Sequence, residues 1–242
     1  MVPAQGHLTI DWANMPTYNT IMSVAVGAGL LSLVWFGRSL LRDARTTSAD
    51  GWALTFGVLG GILTATGLHM TLTWPLAGGG FPFDNIIFGE TSLAFGVLLL
   101  AAAVYLWRRG VVVLAEPDPL PLLARTARPL SVFVVLLGLS LIAIAAAGIR
   151  YQMFAAPPQE PISGSFADHP LVEAIFISGL IALVGLGALA FPGMLGAIER
   201  PGHRAGVAGT VVAWTWTLAG LGFGLFGAMN FYTHIGLILN TM

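Results

Sequence analysis

Two residue types are missing outright. The chain has no cysteine, which excludes disulfides, thiolate nucleophiles and thiolate metal sites. It also has no lysine, so all ten basic residues are arginine. Charge of either sign is scarce: 9% of the 242 residues are charged and the net charge is −1, where a soluble domain carries about 25% charged residues. With no basic tract there is no case for nucleic acid as a partner. What fills the chain instead is apolar, at 56% of residues. A soluble core cannot hide that much apolar surface from water, whereas a bilayer can. Residues 1–16 lack a basic region followed by a short apolar run, so the first apolar segment is expected to be a retained span rather than a signal peptide.

A membrane helix needs about 20 mostly apolar residues, because a rise of ~1.5 Å per residue must cross ~30 Å of hydrocarbon. Six stretches qualify: Tyr18–Phe36, Trp52–Trp74, Ile86–Trp107, Leu130–Ile149, Leu171–Phe191 and Val207–Met229. Breakers lie between them at Pro75 with Gly78–Gly80, at Pro117, Pro119 and Pro121, at Pro157, Pro158 and Pro161, and at Pro192 with Pro201 and Gly202. Val111–Ala115 is too short to span and is expected to fray the end of the third helix. The fold class is therefore an all-α integral membrane bundle of six spans in a single domain.

Arginine sets the orientation. Arg38, Arg42 and Arg45 follow span one; Arg108, Arg109, Arg125 and Arg128 follow span three; Arg200 and Arg204 follow span five. Only Arg150 lies on the opposite side. Nine of the ten arginines thus share one face, which the positive-inside rule makes cytoplasmic, with both termini outside. Trp35, Trp52 and Trp107 at inner ends, and Trp12 and Trp74 near outer ones, fit an interfacial aromatic belt. The inner loops are too short for a catalytic domain, so any activity belongs in the membrane or at its outer surface.

Small residues allow close helix contact in lipid. Gly57/Gly61 and Gly220/Gly224 have G-x-x-x-G spacing, and Gly27/Gly29 and Ala145–Gly148 offer similar surfaces. Gly222 to Gly227 matches G-x-G-x-x-G literally, but inside a span with no preceding strand it reads as packing and implies no nucleotide. A weak repeat links His69, Trp74-Pro75, Asp84 and Glu90 in one hairpin with Arg150, Pro157, Asp168 and Glu173 in the next. Span six would face span one, giving a ring of three paired helices, the last pair joined only in space.

Ionisable groups are costly inside a bilayer and are functional candidates by default. Here they gather towards the outer face. Glu90 lies ~9 Å into span three and His69 ~7.5 Å inside Trp74 by the same rise. Glu173 follows His169 at the i, i+4 spacing of one helical face. His234 closes span six together with Asn230 and Tyr232. Each has a blander explanation: a helix-dipole carboxylate for Glu90, a buried structural hydrogen bond for His69, a helix cap for Asp84 and Asp168, a belt residue for Tyr232. Arg150 either pairs with a carboxylate such as Glu173 or clamps an anionic substrate. His7 and His203 read as solvated loop residues.

Taken together, His69, Glu90, Glu173 and His234 form a candidate metal set. Asp84, Arg150, His169, Asn230 and Tyr232 stand as a candidate second shell or substrate contact. Nitrogen and oxygen donors suit zinc, iron, copper or manganese, although no HExxH or paired His-x-His is present. The reading is a polar site for a metal or small ligand near the outer membrane face, on the pattern of a membrane metalloenzyme acting on a small-molecule or lipid substrate. A transporter of a small solute or proton is one alternative. An accessory subunit of a membrane complex, or a homo-oligomer, is the other. The transporter is disfavoured by the apolar inner halves of the spans.

The segments GLHMTLTWPL, FPFDNIIFGE and MNFYTHIGL, set in this six-span pattern, resemble a family of uncharacterised membrane proteins of actinobacteria and archaea. The resemblance implies a prokaryotic plasma-membrane location and carries no activity with it.

Overall fold

The computed structural model describes residues 10–76, 81–200 and 205–242. His7, Gly78–Gly80, Pro201, Gly202, His203 and Arg204 lie outside the described residues. The chain runs α1 (Asn19–Asp43), α2 (Ala49–Leu72), a π-helical turn (Asn85–Glu90) leading directly into α3 (Thr91–Leu114), α4 (Pro119–Ala127), α5 (Ser131–Tyr151), α6 (Pro170–Ile198) and α7 (Gly206–Thr241), with no strand among the described residues. Six of these helical segments are long and apolar enough to cross a bilayer, which makes this a multi-pass membrane protein.

Several boundaries differ from the sequence reading, each for a local reason. Val111–Ala115 does not fray, because α3 continues to Leu114. Pro192 does not break α6, which passes through it to Ile198. The prolines around position 119 start a helix rather than only interrupting one. Pro119 occupies the first turn of α4, where backbone N–H groups have no intrahelical acceptor and proline loses nothing.

α2 packs on α3, α5 on α6 and α7 on α1 as the three closest pairs; α1 also meets α2, and α6 meets α7. The result is a ring in the order α3–α2–α1–α7–α6–α5. Its two ends, α3 and α5, touch near one rim. There Ile87 of the π-turn shares a cluster with Ala145 of α5, and the Phe88 and Phe154 rings sit 6.2 Å apart. Elsewhere α3 and α5 form no packed pair, leaving a seam. The segment before α1 meets the end of α7 at that same rim, where the Trp12 indole N–H donates to the Thr241 hydroxyl at 3.1 Å.

Glycine sets the pair spacing. Gly60 of α2 lies against the α3 backbone at Gly96, Gly67 against that of the π-turn at Gly89 and of α3 at Leu93, and Gly138 of α5 against that of α6 at Gly185. Of the glycines singled out by spacing, Gly220 touches Gly27 across the chain, Gly222 packs on Leu180 and Gly227 on α1. Gly61 stands in open space and Gly57 meets only Ala103. The true α2 seam is one residue out of phase with that motif.

The turn between α2 and α3 is held by Asn85, which is 3% exposed. Its side-chain amide donates to the Met70 carbonyl and, at 2.9 Å, to that of Thr73. These carbonyls end α2 and have no helical partner of their own. Asn85→Ala strands the buried Met70 carbonyl, at about 1–3 kcal/mol for a buried unsatisfied group, while the exposed Thr73 carbonyl keeps the Leu76 N–H at 2.9 Å. The change should visibly lower the melting temperature in detergent. Arg128 pairs with Glu199 through two bonds of 2.8 and 2.9 Å at the arginine-rich rim. Both ends are solvated, and Arg128→Ala should leave the melting temperature unmoved. The opposite ranking in a thermal-shift assay would refute both assignments.

Candidate functional site

The ring encloses a cavity of about 780 Å³, within the range of small-molecule pockets. Its wall is apolar for most of its length, with Phe95 and Leu98 from α3, Leu137 and Leu141 from α5, Ile181 from α6 and Leu30 from α1. At the rim where Trp12 meets Thr241, the lining turns polar: Asp84, Glu160, Ser163, Glu173, Asn230 and His234. Towards the arginine-rich rim it reaches Arg38 and Thr126, beside Leu120 and Leu123 of α4.

The α5–α6 connection builds the polar end. α5 stops in a left-handed cap at Gln152 (φ 52°), whose N–H donates to the Ile149 carbonyl while that of Met153 donates to Gly148 at 3.1 Å. This paired pattern redirects the chain back over the bundle. Ala156 then donates its N–H to Glu173 Oε2 at 2.6 Å. Further on, Ile162 adopts φ 66°, ψ −67°, and the Ser163 N–H reaches back to the Pro161 carbonyl at 2.8 Å. A β-branched residue in that conformation costs about 1–3 kcal/mol. It brings Ser163, 5% exposed, into a hydrogen bond with Glu173. The loop is pinned from the other side by Asn240, whose amide donates to the Gln159 carbonyl at 2.8 Å.

Glu160 and Glu173 are near enough to repel one another. His234 Nε2 stands 3.8 Å from Glu160 Oε1, whose side chain is only 10% exposed. Burial pushes the Glu160 carboxyl above its ordinary range, with Thr233 beside it acting the other way. Asp84, just before the third span, is pushed up to about 7 by burial. Carboxyls in an apolar wall resist ionisation until something positive joins them.

The sequence candidates divide accordingly. Glu173, His234, Asn230 and Asp84 come together at the cavity. His69 does not: it is exposed beside α1, its Nδ1 hydrogen-bonded to the Tyr18 hydroxyl at 2.7 Å. Glu90 is exposed on the outer surface of the bundle; it is the last residue of the π-turn, whose i→i+5 hydrogen bonds give its residues a different azimuth from that of a regular α-helix. His169 is the N-cap of α6, with φ −127°, so the one-face rule that would align it with Glu173 does not hold there. Arg150 lies over the Tyr151 ring at 5.8 Å instead of pairing with Glu173, and Tyr232 is exposed. The four-residue metal set is thus dispersed, and among the described residues no three His, Cys, Asp or Glu side chains converge as a metal site.

Glu160 was not anticipated. It sits in Pro-Pro-Gln-Glu-Pro, a stretch that reads as a connector. The available signal was a carboxylate set among prolines in a loop whose only other acidic residue, Asp168, stands at the next helix start.

A family model, described as a protein of unknown function, DUF981, matches residues 15–236. The chain belongs to DUF981. The match takes in the first five spans whole, the sixth as far as residue 236, and Asp84, Glu160, Ser163, Glu173, Asn230 and His234 of the cavity rim, so the DUF981 region and the ring cover nearly the same residues. No curated protein and no solved structure matches the chain.

Proposed function

We propose that this DUF981 protein binds a membrane-soluble amphipathic molecule inside its helical ring, with the ligand's polar end at the carboxylate-lined rim. The observation that carries this reading is the joining of an apolar cavity of about 780 Å³ to one polar end built from Asp84, Glu160, Glu173, Asn230 and His234. Membrane interiors pack closely, and a void of this size in an apolar wall forfeits dispersion contacts unless something fills it. The seam between α3 and α5 gives such a ligand a route from the lipid without crossing a charged surface. By the arginine distribution the polar rim lies on the outer face, with both termini outside; the family resemblance of the sequence implies that the membrane is a prokaryotic plasma membrane.

The test is mass spectrometry of organic extracts from detergent-purified protein. Wild-type protein should release a defined apolar molecule at near one per chain. Ala102→Trp, which places an indole in the cavity wall, should release at least tenfold less while keeping a monodisperse chromatographic profile. Release of only the bulk membrane lipid mixture from both would sink the reading.

Transport is the second reading, favoured by the extent of the cavity lining from Trp12 at one rim to Arg38 at the other. Flux of a solute or proton into proteoliposomes, lost in Glu173→Gln, would promote it above binding alone.

A further inference from the structure

We infer that the polar end of the ligand is a protonated amine, so that the ring holds a long-chain cationic amphiphile. This rests on the cavity being a ligand site and specifies what that site accepts.

The groups facing the polar end come from every element around it. The turn before α3 contributes Asp84, the α5–α6 loop contributes Glu160 and Ser163, α6 contributes Glu173, and α7 contributes Asn230 and His234. α1 adds the uncharged Asn19, and Arg150 at the end of α5 is outside the lining. Three carboxyls therefore stand against a single imidazole. That imidazole is 3.8 Å from Glu160, too far for a hydrogen bond.

A second, independent feature points the same way. Asn230 is 8% exposed, lines the cavity, and its Oδ1 has no hydrogen-bond partner among the described residues. Asn19, on the facing helix, has its Oδ1 in the same condition. Buried polar atoms in folded proteins are almost always paired, so these oxygens mark the place of a missing partner. Carboxylates have only acceptors to offer, and an alkylammonium brings three N–H donors and a positive charge.

The alternatives fit less well. A bare metal ion needs converging donors, which the described residues lack, and would leave the apolar length of the cavity empty. A fatty acid would set a carboxylate beside Glu160 and Glu173. A long-chain alcohol would meet the acceptors with a single donor.

The experiment uses the full chain in nanodiscs of zwitterionic lipid, with empty nanodiscs as control, and three probes of equal chain length: hexadecylamine, hexadecanol and hexadecanoic acid. The amine should bind at least tenfold tighter than the alcohol, and the acid more weakly still. Glu160→Gln with Glu173→Gln should bring amine and alcohol within about threefold of each other. The wild-type comparison needs no variant, so misfolding of the double mutant does not remove the test. If the alcohol or the acid binds as tightly as the amine, the inference falls and the cavity reading stands. If none of the three binds, both fall.

Discussion

Gly67→Leu and Gly27→Leu should each leave almost no correctly folded protein. A methyl group on Gly67 would lie 2.5 Å from the Leu93 amide nitrogen and 2.9 Å from the Gly89 carbonyl oxygen. On Gly27 it would strike the Gly224 backbone and sit 2.7 Å from the Gly220 carbonyl oxygen. Backbone blocks the way in both cases, so no side-chain rotation relieves the clash and the helices must separate. Ordinary overpacking costs about 1–3 kcal/mol where neighbours can adjust. Parting two helices along a glycine seam also forfeits the close contact that holds membrane helices together, so the loss should exceed that range. Gly61→Leu is the control, since nothing lies within 4 Å of its Cβ position. The readout is the monodisperse fraction and its melting temperature in fluorescence-detected size exclusion. Equal behaviour of Gly61→Leu and Gly67→Leu would mean that the α2–α3 pairing is wrong.

Asp84 should make stability fall as pH rises from about 4 to about 7. Its carboxyl moves from the ordinary 3.8 to about 7 in the fold, driven by burial. Across that window the folded state holds a proton that the unfolded state has released, so each step up in pH favours unfolding. The contribution is fully present below the unfolded value, declines through the window and is gone above about 7. At 1.36 kcal/mol per unit, this single group supplies roughly 4 kcal/mol between the two limits. The group is 7% exposed, so solvent screening removes little of it. Asp84→Asn keeps the shape and removes the titration. Subtracting its melting curve from that of the wild type between pH 4 and pH 8 isolates this residue from Glu160, which acts with the same sign. A difference that stays flat with pH would rule Asp84 out.

How much of this was legible in the sequence follows from which physical rule was at stake. The six spans were, because hydropathy acts over a whole window and tolerates local error. Their ends were less so. α7 runs twelve residues past Met229, to Thr241, since Tyr232, Thr233, His234 and Asn240 lower the hydropathy without breaking the helix. The spatial pairing of span six with span one was readable from the weak repeat and the polar residues at the outer ends of both, and the structure pairs α7 with α1. The candidate site was half legible. Asp84, Glu173, Asn230 and His234 sit where their positions along the spans suggest. Glu90 and His69 fail because depth along a helix says nothing about azimuth, and one π-turn is enough to swing a carboxylate outward. Glu160 escaped notice because its place depends on a left-handed cap at Gln152 and a tight turn at Ile162, neither of which uses the glycine that normally announces such geometry.

The seam between α1 and α7 has a consequence for biogenesis. Gly27 leaves the ribosome about 190 residues ahead of Gly220, and at roughly 5–20 residues per second that is an interval of about 10–40 s. α2 and α3 find each other almost at once, as do α5 and α6. α1 must wait, its glycine face turned to lipid, until α7 arrives and closes the circle.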